Sequence, residues 1–311
     1  MEKMSTLLKN LLRPAWYKLK ELAYGLFYLR YKYLGTKPKI LSFDETIQYI
    51  IKNRCSVSRF GDGEIVLMLK QHKIGFQELV PQLSVDLLNS FKVNDPKVLI
   101  CLKGLFFNSK FGSDERKFYE YYYFEYYRHF LRHLNFEYVY GAADLTRFYE
   151  PSNWKWTDYD KLERYVDRLK KIWKGQNVIF VEGNNTMLGI GNDLYDNVNS
   201  IRRILCPSQN AYSVKDQIYQ SIVKNATEDD LVLLALGPTA SVLAVELAVS
   251  TKLWVIDIGH VDVVYLWMKN RCKYKMNIEG KHVNEASEDA GIIPIRYNKD
   301  IYKSQIIDEV R

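Results

Sequence analysis

The strongest constraint on this chain is a series of short runs rich in Val, Ile and Leu: Val98–Leu102, Val178–Val181, Ile201–Leu205, Leu231–Leu236 and Leu253–Ile258. Each has the length of a strand, and none alternates apolar with polar residues, as befits strands covered on both faces. Segments of helical pattern separate most of them. Two examples are Ser213 to Asn225 and Pro238 to Val249, the latter opening with Pro at a first-turn position where no amide is lost. This alternation predicts a mostly parallel sheet with helices on both faces, a Rossmann-like α/β architecture. Ser42, Phe43, Asp44 and Glu45 read as a capping box opening a helix that runs to Asn53, and Cys55 to Phe60 reads as a further strand.

That strand leads into Gly61-Asp62-Gly63-Glu64, and Ile65 to Gln71 has a helical pattern, so the acidic pair is expected on a turn. The flanking glycines free the backbone to aim both carboxylates at one site. Mg²⁺ or Mn²⁺ is held by one or two such carboxylates while the phosphates of a substrate complete the shell. A metal so placed stabilises negative charge on a departing diphosphate. Arg59, just upstream, is a candidate for a forked phosphate contact. The triplet is weak on its own, because turns of this composition are commonly only solvated.

Ligands of open parallel sheets bind beyond the carboxyl ends of the strands, where Glu182, Pro207, Gly237 and Asp257 all fall. Gly237-Pro238-Thr239 begins a helix whose free amides suit phosphate oxygens, with Asp257 and His260 facing them. His260 is the candidate general base for an acceptor hydroxyl, since an unperturbed imidazole titrates near ~6.5. The competing reading is a hydrogen-bonded structural histidine. Lys281 is a phosphate candidate, against the commoner fate of a solvated lysine. His129 and His133 are four apart but lack the neighbouring Glu of a zinc-protease helix, and packing is the better reading. The spacing of Gly183, Gly189 and Gly191 does not match the dinucleotide fingerprint, which disfavours an NAD enzyme.

Residues 1–40 form a distinct arm. They carry nine Lys or Arg against Glu2 and Glu21; the rest of the chain keeps 35 of the 44 basic and 35 of the 37 acidic residues, and is formally neutral. A field suited to nucleic acid is thereby excluded. In the arm, Met4, Leu7, Leu8, Leu11, Leu12, Ala15, Trp16, Leu19, Leu22, Ala23, Leu26 and Phe27 recur with helical period. Pro14 is expected to kink this helix or open a second one, and Gly35 with Pro38 to end it. Charges interrupt every apolar run, so no segment reads as membrane-spanning or as a secretory signal. The expected partner of residues 1–36 is an anionic membrane surface, with the body of the protein or a second subunit as the alternative cover. The four cysteines stand far apart with no metal-site spacing, which fits a reducing, cytoplasmic compartment at the inner face of the cell membrane. A Tyr- and Phe-rich stretch, Phe118 to Phe148, followed by Trp154, Trp156 and a charged helix to Trp173, is expected to form a helical insertion over the sheet.

Ser58-Arg59-Phe60-Gly61-Asp62-Gly63-Glu64 resembles the signature of the GT-D fold glycosyltransferases, bacterial enzymes that build surface glycans. Tyr140 to Arg147, Val181-Glu182-Gly183, Leu188 to Leu194, Leu236 to Ala240, Asp257-Ile258-Gly259-His260 and Gly280 to Glu285 look like further blocks of that family in its order. The resemblance covers residues 41–290. It implies one glycosyltransferase domain over 41–311 behind the 1–40 arm, with Asp62 and Glu64 holding Mn²⁺ or Mg²⁺ and a nucleotide diphosphate sugar, a UDP-sugar foremost. It further implies a substrate site built from Arg59, Gly61, Glu182, Asn192, Asp193, Thr239, Asp257 and Lys281, and a glycan, lipid-linked or glycoprotein acceptor. Another nucleotide-sugar or phosphosugar enzyme, and a non-catalytic scaffold of glycan assembly, are the alternatives; the intact acidic pair argues against the second.

Overall fold

The capping box at Ser42 forms as its spacing predicts. Glu45 N donates to Ser42 Oγ at 3.3 Å while Ser42 N donates to Glu45 Oε2 at 2.8 Å, opening the Phe43–Asn53 helix. The chain turns out of that helix through Arg54 and enters the first long strand of a nine-stranded sheet. The structure, a computed structural model, describes residues 2–104 and 120–311.

The strands are β1 (Lys39–Ile40), β2 (Ser56–Phe60), β3 (Val98–Leu102), β4 (Val139–Ala142), β5 (Asn177–Gly183), β6 (Ser200–Cys206), β7 (Asp230–Ala235), β8 (Trp254–Asp257), a separate parallel pair β9 (Asn277–Ile278) and β10 (Ile292–Ile293), and β11 (Ile306–Glu309). The large sheet is ordered β1-β4-β3-β2-β8-β7-β5-β6-β11. From β4 across to β11 every pairing is parallel. Alternate residues of one strand point to opposite faces. Val178, Phe180, Leu231 and Leu233 accordingly pack with Ile50, Leu169 and Val263 on one side. Ile179, Val181, Val232 and Leu234 pack with Ile218, Leu243 and Leu247 on the other. Helices therefore cover both faces, and the Pro238–Ser250 helix is buried almost all round.

Each strand read from the apolar runs is present, Val98–Leu102 with the same ends and the others with ends shifted by one or two residues. Not anticipated were β4, a four-residue strand containing Gly141, the two-residue strands β9 and β10, and the edge strands β1 and β11, too short or too polar to stand out.

The chain divides into two compact units, residues 1–39 with 104–139, and residues 40–103 with 140–311. In the first, one helix runs from Glu2 to Leu34, continuous through Pro14 and ending before Gly35. No second helix opens at Pro14; a single helix carries on through it. Tyr24, Tyr28 and Tyr31 are buried on one face. Tyr24 donates to Glu125 Oε1 at 2.7 Å, Lys20 pairs with the same carboxylate at 2.9 Å, and the rings of Tyr24 and Phe27 pack on Phe124. The aromatic stretch is helical over 120–133, with a π turn at Tyr123–Tyr127; Phe118 and Tyr119 lie outside the described residues, as do the side chains from Met4 to Ala15. Among the described residues, no helix is long and apolar enough to cross a membrane.

Candidate active site

β2 and β8 lie side by side, pairing Val57 with Ile256, although they are the first long strand and the last of the central series. Their onward connections part to opposite sides, which leaves a crevice beyond their carboxyl ends. The turn after β2 brings Asp62 and Glu64 there, and the turn after β8 brings His260.

The acidic pair does not sit on an open turn. A helix begins at Asp62 and runs to Met68, with Gly61 as its cap. Residues two apart on a helix diverge. Asp62 is exposed, its Oδ1 3.8 Å from Lys103 Nζ, whereas Glu64 turns back and accepts from Gly61 N at 2.9 Å. Burial, then the nearby charge of Asp257 and Asp62, pushes the Glu64 carboxyl above its ordinary 4.5.

Arg59 is committed to the protein rather than to a ligand. Its Nη2 and Nε donate to Asp257 Oδ1 and to the Asp257 carbonyl, both at 2.8 Å, and Nη1 donates to Thr146 Oγ1 at 2.5 Å. Gly259, at φ +50°, permits this, because a Cβ there would stand 2.4 Å from Arg59 Nη2. Asp257 is 3% exposed and serves as the partner of Arg59, so both residues brace β2 against β8.

His260 caps the Val261–Lys269 helix, and its Nδ1 lies 3.7 Å from Glu285 Oε2, an ion-pair separation too long for a hydrogen bond. Glu285 Oε2 is buried and has no hydrogen-bond partner among the described residues, while Oε1 accepts from Arg147 Nη2 at 3.0 Å. Burial acts to raise the Glu285 carboxyl, but His260 and then Arg147 hold it down to about 2. The half-exposed Arg147 also feels Asp62 and Glu64. Asp144, buried on the turn after β4, is pushed up by burial and drawn back by Lys103, Arg147 and Arg59. Lys103, Asp144, Arg147 and Glu285 escaped the reading of individual residues; their only signal was membership, for three of them, in blocks resembling a family.

The remaining sequence candidates have other duties. Glu182 is fully buried, paired with Arg203 Nη1 at 2.5 Å and accepting from Leu188 N at 2.6 Å. Lys281 is buried against Asp262 and donates to the Met187 carbonyl at 2.8 Å. Asn192 Oδ1 closes a local turn with Leu194 N at 3.1 Å, and Asp193 Oδ1 accepts from Tyr265 at 2.8 Å. Thr239 is fully buried, and the Phe76 ring covers Gly237 so closely that a Cβ would come within 2.3 Å of it. That helix start is packed shut, contrary to the expectation of a phosphate site. In this structure Glu182, Asn192, Asp193 and Lys281 thus make contacts that hold the 183–194 loop, and of these only Glu182 was marked by its place at a strand end.

Residues 57–286 match the family described as Glycosyltransferase GT-D fold. The chain belongs to the GT-D fold glycosyltransferases. The GT-D match opens in β2 and closes one residue after Glu285, so it encloses every residue of the crevice. Among GT-D relatives, a Probable glycosyl transferase Gly from Streptococcus gordonii is 33% identical over 278 residues, 86% of this chain and 38% of the relative. Glycosyltransferase GlyD of Streptococcus pneumoniae serotype 4 (strain ATCC BAA-334 / TIGR4) is 34% identical over 275 residues, 88% of this chain and 32% of the relative. The chain thus spans little more than a third of the one and less than that of the other. A solved structure of the highly conserved domain of unknown function 1792, described as having a distinct glycosyltransferase fold, aligns with TM-score 0.78 at 32% identity, covering 94% of this chain and 100% of that one. A new glycosyltransferase from Streptococcus sanguinis aligns with TM-score 0.75 at 31% identity, covering 88% and 100%. The GT-D family and the α/β fold expected from the sequence are those found.

Proposed function

We propose that this chain transfers a sugar from a nucleotide diphosphate donor, a UDP-sugar foremost, to a growing surface glycan, capsular polysaccharide or glycoprotein glycan. The observation that carries the reading is Arg147, which pairs with Glu285 at 3.0 Å beside His260 and also feels the charges of Asp62 and Glu64. We place the reaction on the cytoplasmic side of the cell membrane, with the Glu2–Leu34 helix as the attachment.

The carboxylates fit a divalent cation on charge. Asp62, Glu64, Asp144, Asp257 and Glu285 outnumber Arg59, Lys103 and Arg147, and Asp257 and Asp62 add to the burial that raises the Glu64 carboxyl. Among the described residues, no group of three or more His, Cys, Asp or Glu could hold a metal ion. Asp62 and Glu64 would therefore hold Mn²⁺ or Mg²⁺ jointly with the donor's phosphates. When bound, the cation would offset charge on the leaving diphosphate.

The protein's own groups do the rest. An acceptor hydroxyl oxygen bonds to the sugar's anomeric carbon as the bond from that carbon to the diphosphate breaks. The hydroxyl proton passes to His260, whose Nδ1 faces Glu285 and whose Nε2 remains for the acceptor. Glu285, held near about 2, is too weak a base to take that proton, but as a fixed anion it stabilises the imidazolium that forms. Arg147, half exposed beside the acidic turn, is positioned to meet a phosphate oxygen. Hydrolysis and binding of a panel of nucleotide sugars with Mn²⁺, Mg²⁺ or chelator tests the reading. Metal-dependent turnover of one donor, lost in Asp62→Ala and Glu64→Ala, is expected; no donor bound under any condition would overturn it in favour of a scaffold.

A further inference from the structure

The Glu2–Leu34 helix has two faces with different surroundings. Tyr24, Tyr28 and Tyr31 are buried, with the Tyr24 and Tyr31 rings against the 120–127 segment. Leu19, Leu22 and Leu26, at the three- and four-residue steps that share a helix face, are instead 66%, 63% and 61% exposed. Trp16, Phe27 and Tyr33 flank them and are also exposed. Of the apolar stripe foreseen in the sequence, Trp16, Leu19, Leu22, Leu26 and Phe27 are therefore exposed, and a row of tyrosines lies buried on the other side.

Charge selects the occupant. Lys18 and Arg30 are exposed along the stripe, Lys37 is exposed beyond the helix end, and Glu21 falls on the Tyr28 side. The whole formal excess of the chain, +7, lies in this arm. A second copy would bring an equally cationic stripe against this one and be repelled, whereas an anionic leaflet accepts the leucines between its acyl chains and the cations at its headgroups. We infer that the Leu19–Leu22–Leu26 face lies in the plane of an anionic lipid bilayer, with its aromatic flanks at headgroup depth. This deepens the membrane placement proposed above and is independent of the sugar-transfer chemistry.

The test is flotation of the full chain with vesicles of phosphatidylcholine alone or with 30% phosphatidylglycerol, at low and high salt, with donor hydrolysis measured on the same preparations. The chain is expected to float with anionic vesicles and to be released by salt. Lys18→Gln and Arg30→Gln should each weaken partition about five-fold, and the exposed triple variant Leu19→Ser, Leu22→Ser, Leu26→Ser should abolish it while circular dichroism stays unchanged. Equal flotation of wild type and triple variant, or no flotation of wild type, overturns the inference. So does a dimer by light scattering that the triple variant dissolves, which would assign the face to a second copy. Donor turnover without flotation sinks the docking face alone; flotation without turnover sinks the sugar-transfer reading alone.

Discussion

At the residue scale, the proposed reaction divides the work of one general base between His260 and Glu285, which lie 3.7 Å apart. His260→Ala is expected to lower kcat by about 10²–10⁴ with donor affinity unchanged, and near-normal turnover would remove His260 from the mechanism. Glu285 also links stability to pH. Its carboxyl falls from an ordinary 4.5 to about 2 on folding, so the native state favours the charged form. That contribution is complete above pH 4.5 and is lost as pH falls toward 2. The destabilisation caused by Glu285→Gln, followed by urea denaturation, should therefore shrink from pH 5 to pH 3; a constant difference would show that the pair does not act in the folded state. Arg59 and Asp257 obey a different logic. Both are largely buried, and Asp257→Ala strands a guanidinium, an expected loss of about 3–5 kcal/mol measurable in the same experiment.

At the element scale, two buried ion pairs hold the loop between β5 and β6. Glu182 with Arg203 grips its start through Leu188, and Lys281 with Asp262 grips Met187 and Gly189. Lys281→Met should cost about 3–5 kcal/mol, because it leaves Asp262 buried and unpaired. Adding Asp262→Leu should restore much of that loss, a recovery that a direct ligand-binding role for Lys281 would not give. These pairs are contacts that the sequence did not announce. A charged residue at a strand end reads as a ligand contact, but its commitment depends on a partner 21 or 19 residues away in one dimension and touching in three. Elements were legible because their signals are local: the Ser42 box, the Pro238 helix start, the continuous apolar runs. Half of the crevice was legible for the same reason, since Asp62, Glu64 and His260 follow strands directly. Arg147 and Glu285 meet across 138 residues, with nothing in either neighbourhood to announce the other.

At the scale of the whole molecule, the crevice joins parts of the chain that only the sheet brings together, and its occupation should be felt globally. A donor with Mn²⁺ at 100 times its Kd should stabilise the native state by about 2.7 kcal/mol, seen as a rise in Tm by calorimetry. Asp62→Ala should cancel the rise, and an undiminished rise in that variant would place the donor elsewhere. The order of the strands adds a kinetic consequence. β2 and β8 adjoin at the site, and the hydrogen bond from Val255 N to Ser56 Oγ links residues 199 apart. Loops that long close slowly, and the strands between them, β5, β6 and β7, join their neighbours across much shorter separations. On refolding from denaturant the central strands should acquire secondary structure first, and the ability to bind donor should return last, when β2 and β8, two segments distant in the sequence, finally meet.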